Sequence, residues 1–366
     1  MKNEKVVVGF IGSGGIARSH AYSLNSLRYF YNDVPGIELR SVCSATEASR
    51  MKFASQYGFL NSAGLDDLIT DKTINTVFIL GPNKVHYEHL KKAIGMSAIR
   101  RIYIEKPVCS NSDEEEGIAS LIKEHPQINI QVGFQFLLGA TIIEMLRLWK
   151  SGIPGKPIHF DLKYYHGDYL RKDYRDNRQS RLTAAPDGGA MADLGSHSLS
   201  LLIALLGDKL RITSALQGGS FHDVREDSDL FSLVSVKDDA TGAVGTVAAS
   251  RISSGTGDTF SLELYAEKGA IRYSTASPDY FEFYREGEGI WNRMIAGSNF
   301  KPSSSFPSQH VPPGWLRSMI HAHYVFLTGN SNGDFVPDIR HGLAVQSLVT
   351  QTAEHLKIFR ESAHRI

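Results

Sequence analysis

The stretch Val6-Val7-Val8-Gly9-Phe10-Ile11-Gly12-Ser13-Gly14-Gly15-Ile16-Ala17 decides the fold of this chain. A run of β-branched and aromatic residues, typical of a buried strand, ends at a glycine cluster, and a segment with helical periodicity follows. Gly12 allows a tight turn, and Gly14 lets the backbone approach a phosphate without a Cβ in the way. Because a helix N-terminus offers free N–H groups to an anion, the stretch predicts a dinucleotide site. Its predicted residues are Gly12, Gly14, Gly15, Ile16 and Ala17.

Length and composition predict an ordinary globular protein. The 366 residues suffice for about two domains. Lys+Arg and Asp+Glu both number 39, so we expect no nucleic-acid or membrane partner. No apolar run approaches the roughly 20 residues of a membrane helix. The first strand begins without a signal-peptide pattern, so we expect a cytoplasmic protein in which Cys43 and Cys109 stay buried, reduced thiols.

Strands and helices alternate over residues 1–133. After the first strand, further strands are predicted at Ile37–Cys43, Thr76–Leu80, Ile102–Ile104 and Ile128–Phe134. This alternation predicts a doubly wound parallel sheet, the Rossmann arrangement, which binds ligands at the carboxyl ends of its strands. Gly81-Pro82-Asn83 and Glu105-Lys106-Pro107 both follow strands directly, as the first glycine turn does. All three motifs are therefore expected at one edge.

The end of the second strand bears on the choice of cofactor. A carboxylate at this place selects NAD by binding the ribose 2′-hydroxyl. This chain has Ser44 there, so nothing repels a 2′-phosphate, and Arg50 is a candidate partner for it. We therefore expect NAD or NADP, with a slight preference for NADP.

Residues 134–366 change pattern and predict an α+β domain for substrate binding and oligomerisation. A helix is predicted over Ala140–Lys150 and another over Asp193–Leu206. Alternating polar and apolar residues predict a large, mostly antiparallel open sheet. Its strands are expected at Ile158–Tyr165, Ile212–Leu216, Phe231–Val236, Ala243–Ser250, Phe260–Ala266 and Ala270–Tyr273. The open face would suit a homodimer or homotetramer, and Lys301–Pro313 is expected to be a long surface loop.

Three side chains could carry carbonyl/alcohol redox chemistry. Lys106 lies just past a buried strand, where Pro107 restricts its backbone. Asp193 and His197 are four residues apart, which places them on one helix face if the helix includes Asp193. An imidazole exchanges protons near neutral pH, and a fixed cation stabilises a developing alkoxide. A surface lysine, an N-capping aspartate and a core histidine would give the same local patterns. The histidine spacings predict no metal site.

At this point the chain resembles the Gfo/Idh/MocA family of glucose–fructose oxidoreductase, inositol dehydrogenase and rhizopine-catabolism proteins. The resemblance covers nearly the whole chain. It rests on the first glycine turn and on Pro82-Asn83-x-x-His86, Glu105-Lys106-Pro107, Gly152-x-x-Gly155, Asp193-x-x-x-His197 and Asp338-x-x-x-Gly342. It implies that Lys106, Asp193 and His197 are catalytic, and that the Lys106–Pro107 bond is cis. Pro82, Asn83, Glu105 and Pro107 would line the nicotinamide half of the cofactor site, and His86 and Lys106 are also expected to bind the cofactor.

The chain departs from the family at two places. Phe136-Leu137-Leu138 stands where an arginine is frequent, and Ser200 stands where an aspartate is frequent. Both departures concern the identity of the substrate. The polar segment Tyr164–Asp187 is the candidate for contacts with substrate hydroxyls, and a solvated surface loop is an equal alternative.

Three functions fit these residues. The first is an NAD(P)-dependent oxidoreductase acting on a secondary alcohol of a sugar, sugar derivative or cyclitol. The second is a redox-neutral enzyme that keeps its nicotinamide bound while it cleaves or epimerises a glycoside. The third is a nucleotide-sensing regulator, which would not need the proton-transferring set of Lys106, Asp193 and His197.

Overall fold

The computed structural model describes residues 5–31, 34–178, 182, 188–219, 221, 228–295 and 314–363. Within them the chain forms two compact units. The first contains the described residues up to 138 together with 315–343, and the second contains the described residues of 139–295 together with 344–363. The sequence predicts that all residues from 134 onward belong to the second domain. The structure groups residues 315–343 with the first unit instead.

The first unit is built on a parallel sheet. Its strands are β1 Val6–Ile11, β2 Ile37–Cys43, β3 Asn61–Ala63, β4 Thr76–Ile79, β5 Arg101–Ile104 and β6 Asn129–Val132. They lie in the order β3-β2-β1-β4-β5-β6, and the predicted doubly wound sheet is confirmed. Its helices are α1 Gly15–Phe30, α2 Glu47–Tyr57, α3 Leu65–Thr70, α4 His86–Ile94 and α5 Ser112–Glu124. The edge strand β3 was not predicted, since three residues are too few to show a periodicity of two.

Local sequence explains where these elements begin and end. All four residues of β4 are buried, as expected for a strand covered by helices on both faces. The α2 helix begins after Thr46, whose side chain accepts a hydrogen bond from the Ser49 N–H. It ends at Gly58, which adopts the left-handed conformation with φ 81°.

The second unit contains a large, mostly antiparallel sheet, as predicted. Its helices are α6 Ala140–Lys150, α7 Lys172–Asp176 and α8 Ser196–Leu206. Its strands are β7 Pro157–Tyr165, β8 Leu210–Gly218, β9 Phe231–Asp238, β10 Val244–Ser250, β11 Thr259–Ala266, β12 Gly269–Ser274, β13 Tyr280–Arg285 and β14 Trp291–Ile295. The order is β14-β13-β12-β11-β7-β10-β9-β8, and only the β7–β10 pair is parallel among the described residues. Strands β13 and β14 were missed from the sequence.

Each face of this sheet has a different environment. On β7 the side chains of Phe160, Leu162 and Tyr164 are buried, whereas Lys163 on the other face is exposed. Helix α8 lies against β7 and also contacts α6. The residues of the opposite face range from half-buried to exposed, and assembly through this face stays a prediction.

The last two helices are α9 Gly314–Thr328 and α10 Ile339–Ala363. Ile320 and Phe326 of α9 belong to the core of the first unit, which explains why residues 315–343 group with it. The predicted loop Lys301–Pro313 lies outside the described residues. No helix in the described part of the chain is long and apolar enough to cross a membrane.

The late motif Asp338-x-x-x-Gly342 has a structural explanation. Asp338 Oδ1 accepts a hydrogen bond from the His341 N–H at 2.9 Å, which caps the start of α10. A Cβ on Gly342 would lie 2.8 Å from Val132 Cγ2, so only glycine allows this close approach to β6.

Candidate active site

The glycine turn after β1 has the shape that a pyrophosphate requires. Gly12 adopts φ 124°, and a Cβ there would lie 2.6 Å from the Leu80 carbonyl carbon and oxygen. A Cβ on Gly14 would meet no atom within 4 Å, so the space beside it is open. Helix α1 then begins at Gly15 without a side-chain cap or an acidic residue in its first turn. Its first N–H groups therefore remain available to an anion, and these residues fit a dinucleotide.

The other two residues of the turn also occupy the places predicted for them. Ala17 is fully buried in the core between α1 and the sheet, and Ile16 packs against the same core. The small side chain at position 17 thus lets helix and strand pack closely, which is the role of the third small residue in this motif.

The end of β2 carries a serine and a nearby arginine. Ser44 Oγ donates a hydrogen bond to the Thr46 carbonyl oxygen at 3.2 Å. Burial raises the pKa of the neighbouring Cys43 thiol to about 11, while the Gly12 backbone and the Arg50 charge lower it. Arg50 is therefore close enough to act on the end of this strand.

His86 ties two turns of the site together. Its ring is fully buried at the start of α4. Nδ1 lies 2.7 Å from the Pro107 carbonyl oxygen, and Nε2 lies 3.0 Å from the Gly81 carbonyl oxygen. Pro82 and Asn83 follow Gly81 directly, with a 3₁₀ turn over Asn83–Val85. The imidazole thus fixes the turn after β4 against the turn after β5.

The Glu105-Lys106-Pro107 motif follows β5 at the same edge of the sheet. The Lys106–Pro107 peptide bond is cis, as the family resemblance implied. Glu105 is buried, and its Oε2 accepts a hydrogen bond from the Lys106 N–H at 3.3 Å. Gly133 directly follows β6. A Cβ there would lie 2.7 Å from Glu105 Cδ and from both carboxylate oxygens, so the glycine makes room for this carboxylate.

Two histidines extend inward from Glu105. His20 Nε2 lies 2.9 Å from Glu105 Oε1, and His20 Nδ1 lies 2.8 Å from His323 Nε2. Both rings are fully buried, in contact with Phe78 and Tyr103. The carboxylate fixes a proton on His20 Nε2, and a single proton occupies the bond between the two imidazoles. Burial, with the His20 charge beside it, holds the pKa of His323 well below its ordinary value.

In the second unit the Asp193/His197 pair lies at the start of α8. We predicted a regular helix from Asp193, and that boundary is wrong. Met191–Gly195 forms a π-helical turn, and the α-helix begins at Ser196. The turn is held from outside the helix, because Asp229 Oδ2 accepts a hydrogen bond from the Met191 N–H at 3.1 Å. Such wide turns are frequent at functional sites.

Asp193 and His197 have buried polar neighbours. Arg251 Nη2 donates to Asp193 Oδ2 at 2.8 Å, and the Arg251 side chain is 1% exposed. The ring of His197 lies 5.7 Å from the ring of Tyr164. Burial is the main cause of the raised pKa of Tyr164, followed by the charge of Asp258, the charge of Asp193 and a hydrogen bond with Asp258. Asp258 itself has φ 45°, a left-handed backbone that a non-glycine residue seldom adopts.

Sequence reasoning missed Arg251 and Asp229 entirely. Arg251 directly follows β10, where its sequence context is that of any solvated arginine at a strand end. Tyr164 belongs to the segment predicted for substrate contacts, although residues 179–181 and 183–187 of that segment lie outside the described residues. Within it, Arg175 donates to the Tyr169 and Leu170 carbonyl oxygens, so this cation supports the loop. In the described ranges no three His, Cys, Asp or Glu residues form a group suited to a metal ion.

A glycine-opened Rossmann unit followed by a unit with a large, mostly antiparallel sheet defines a two-domain protein whose first domain has a dinucleotide-binding fold. Residues 6–134 match the oxidoreductase family with an NAD-binding Rossmann fold, and residues 142–272 match the GFO/IDH/MocA C-terminal domain. The chain therefore belongs to the Gfo/Idh/MocA oxidoreductase family.

Its relatives include named sugar dehydrogenases. Levoglucosan dehydrogenase of Pseudarthrobacter phenanthrenivorans is 24% identical over 293 residues, which cover 73% of each chain. Glucose-6-phosphate 3-dehydrogenase of Bacillus subtilis is 23% identical over 283 residues, 75% of this chain and 76% of the relative. The solved structure of levoglucosan dehydrogenase with NADH and levoglucosan shares the fold with a TM-score of 0.82 at 18% identity, over 96% of this chain and 97% of that one.

Proposed function

We propose that this enzyme oxidises a secondary alcohol of a sugar, sugar derivative or cyclitol, or reduces the matching ketone, with Lys106, Asp193 and His197 as its catalytic residues. The observation that carries the proposal is the acid–base pair of the second unit. Asp193 is held by a buried arginine at 2.8 Å, one turn before His197. An imidazole four residues along the helical segment from a fixed carboxylate is suited to accept a hydroxyl proton near neutral pH.

The role of Lys106 follows from its position. It is half-buried directly after β5, at the sheet edge that also carries the Gly12 turn. In the oxidation direction, Lys106 stabilises negative charge on the substrate oxygen while His197 takes the hydroxyl proton. Asp193 orients the His197 imidazole. A nicotinamide cofactor held at the glycine turn after β1 would supply the hydride chemistry.

We propose that the enzyme prefers NADP to NAD. Ser44 leaves the end of β2 without a carboxylate, and the Arg50 charge acts on the adjoining Cys43. At the end of β2 a 2′-phosphate would meet a serine in place of a carboxylate, with Arg50 in the helix that follows.

Cofactor titration followed by a substrate panel tests the proposal. Purified protein is titrated with NAD and NADP in parallel, and nicotinamide fluorescence is then followed with sugars, sugar phosphates and cyclitols. Net reduction of either cofactor by a panel member is expected. Tightly bound cofactor with no net turnover would favour the redox-neutral reaction, and nucleotide binding with no reaction of any kind would favour a sensor.

Two substitutions test the assigned residues. Lys106→Met and His197→Ala are each expected to lower turnover by about 10²–10⁴-fold, the usual contribution of a general acid or base. Lys123→Met and His125→Ala serve as matched controls, because these residues lie at the end of α5, beside the amino end of β6. Near-wild-type turnover of both active-site variants would refute the catalytic assignment.

A further inference from the structure

Among the described residues, Arg251 is the largest side chain that is almost completely buried. Its backbone is fixed from two sides, because its N–H donates to the Leu230 carbonyl oxygen at 2.9 Å and its carbonyl oxygen accepts from the Tyr169 N–H at 3.1 Å. The guanidinium lies over the Tyr169 ring, 4.6 Å from its centroid. These contacts leave the side chain little freedom to move.

The charged end of this arginine meets the candidate catalytic aspartate. Arg251 Nη2 lies 2.8 Å from Asp193 Oδ2, and the Asp193 side chain is 20% exposed. A buried guanidinium requires a partner of opposite sign, and its hydrogen bond holds the partly exposed Asp193 carboxylate in one orientation. Arg251, at 1% exposure, is itself too deeply buried to contact a substrate.

We propose that Arg251 is the positioning residue of the acid–base pair, holding Asp193 in place and setting the pH at which His197 binds its proton. The inference rests on the proposed function. Asp193 precedes His197 by four residues in one continuous helical segment, and the positive charge of Arg251 balances the charge of Asp193 there. Without it, the carboxylate would act on His197 unopposed and would stabilise the imidazolium, so protonation would occur at a higher pH.

The other titratable groups around the pair do not substitute for this cation. Tyr164 on β7 and Asp258, directly before β11, lie near Asp193. Tyr169 and Tyr174, in the segment after β7, lie near Arg251 and Asp193. Asp229 lies just before β9. Burial raises the pKa of its carboxyl group, and the charge of Arg251 partly opposes this rise. All these groups are neutral or negative at every pH. The basic side chains nearby have other contacts: Arg175 donates to the Tyr169 and Leu170 carbonyl oxygens, Arg178 lies over the Tyr174 ring, and the His166 ring lies 6.0 Å from the Tyr169 ring.

The pH dependence of kcat/KM in the oxidation direction tests the inference. Arg251→Gln is expected to move the midpoint of the acidic limb upward by about one pH unit, the shift that a charge several ångströms away produces in a protein. Arg251→Lys keeps the charge but not the forked donor, so the midpoint is expected to stay while kcat falls at unchanged KM. Arg211→Gln is the control, since Arg211 forms an exposed pair with Asp239 on the protein surface.

A second readout separates this inference from the proposed function. The His197 imidazole is titrated by NMR, with its resonance assigned by comparison with His197→Ala, and the midpoint is compared between wild type and Arg251→Gln. An upward shift supports the inference even if turnover proves independent of His197. An unchanged midpoint in folded Arg251→Gln overturns it. If Arg251→Gln does not fold, the His197 titration is measured in Arg251→Lys. An upward shift of the His197 midpoint in that variant, which retains the charge, would equally overturn the inference.

Discussion

The buried His20–Glu105–His323 chain gives a quantitative prediction of stability. Replacing His20 with Phe keeps an aromatic ring between Phe78 and Tyr103 but removes both hydrogen bonds of the imidazole. Loss of a hydrogen bond to the Glu105 carboxylate costs about 1.5–3 kcal/mol, and an unsatisfied buried donor on His323 adds about 1–3 kcal/mol. The free energy of unfolding should therefore fall by about 2.5–6 kcal/mol in total.

A double-mutant cycle sharpens this prediction. In the wild-type background, His323→Phe leaves His20 Nδ1 without its partner and is destabilising. In the His20→Phe background the same change removes a donor that is already unsatisfied, so it should cost close to nothing. The two substitutions are thus expected to be strongly non-additive.

The assay is urea unfolding at pH 8, followed by far-UV circular dichroism, with His125→Phe at the end of α5 as the control. If two transitions are resolved, the effect belongs to the one that unfolds the parallel sheet. A cost of less than about 1 kcal/mol for His20→Phe would contradict the reasoning, given the usual cost of unsatisfied buried groups. An equal cost of His323→Phe in both backgrounds would also contradict it.

Two further predictions concern acid stability and packing. Burial lowers the pKa of His341 from 6.5 to about 4, although Asp338 opposes the shift, so the unfolded chain binds a proton that the folded one excludes. The free energy of unfolding should fall by up to about 3 kcal/mol between pH 6.5 and 4, and His341→Phe should reduce this slope in urea titrations at pH 7, 6 and 5. Gly133→Ala should destabilise the protein by about 1–3 kcal/mol because its Cβ would overlap the Glu105 carboxylate. Gly36→Ala, where a Cβ meets nothing within 4 Å, should be neutral when both glycine variants are compared with wild type by thermal unfolding.

Short-range patterns determined much of the fold and the cofactor edge. The glycine turn after β1 and the proline turn after β5 could be placed because strand periodicity fixes where each strand ends. In a parallel sheet those ends share one edge. The helix over Ala140–Lys150 was likewise predicted with the bounds that the structure has.

The sequence by itself thus determined the doubly wound sheet, the antiparallel sheet and the edge at which Lys106 lies. Only the tertiary structure decided that α9 completes the first core, that Asp193 lies in a π-helical turn, and that His86 joins two turns. It alone paired Arg251 with Asp193 across 58 positions and His20 with His323 across 303. The physical reason is that backbone periodicity is encoded by neighbouring residues, whereas a buried polar group finds its partner only when distant segments pack together.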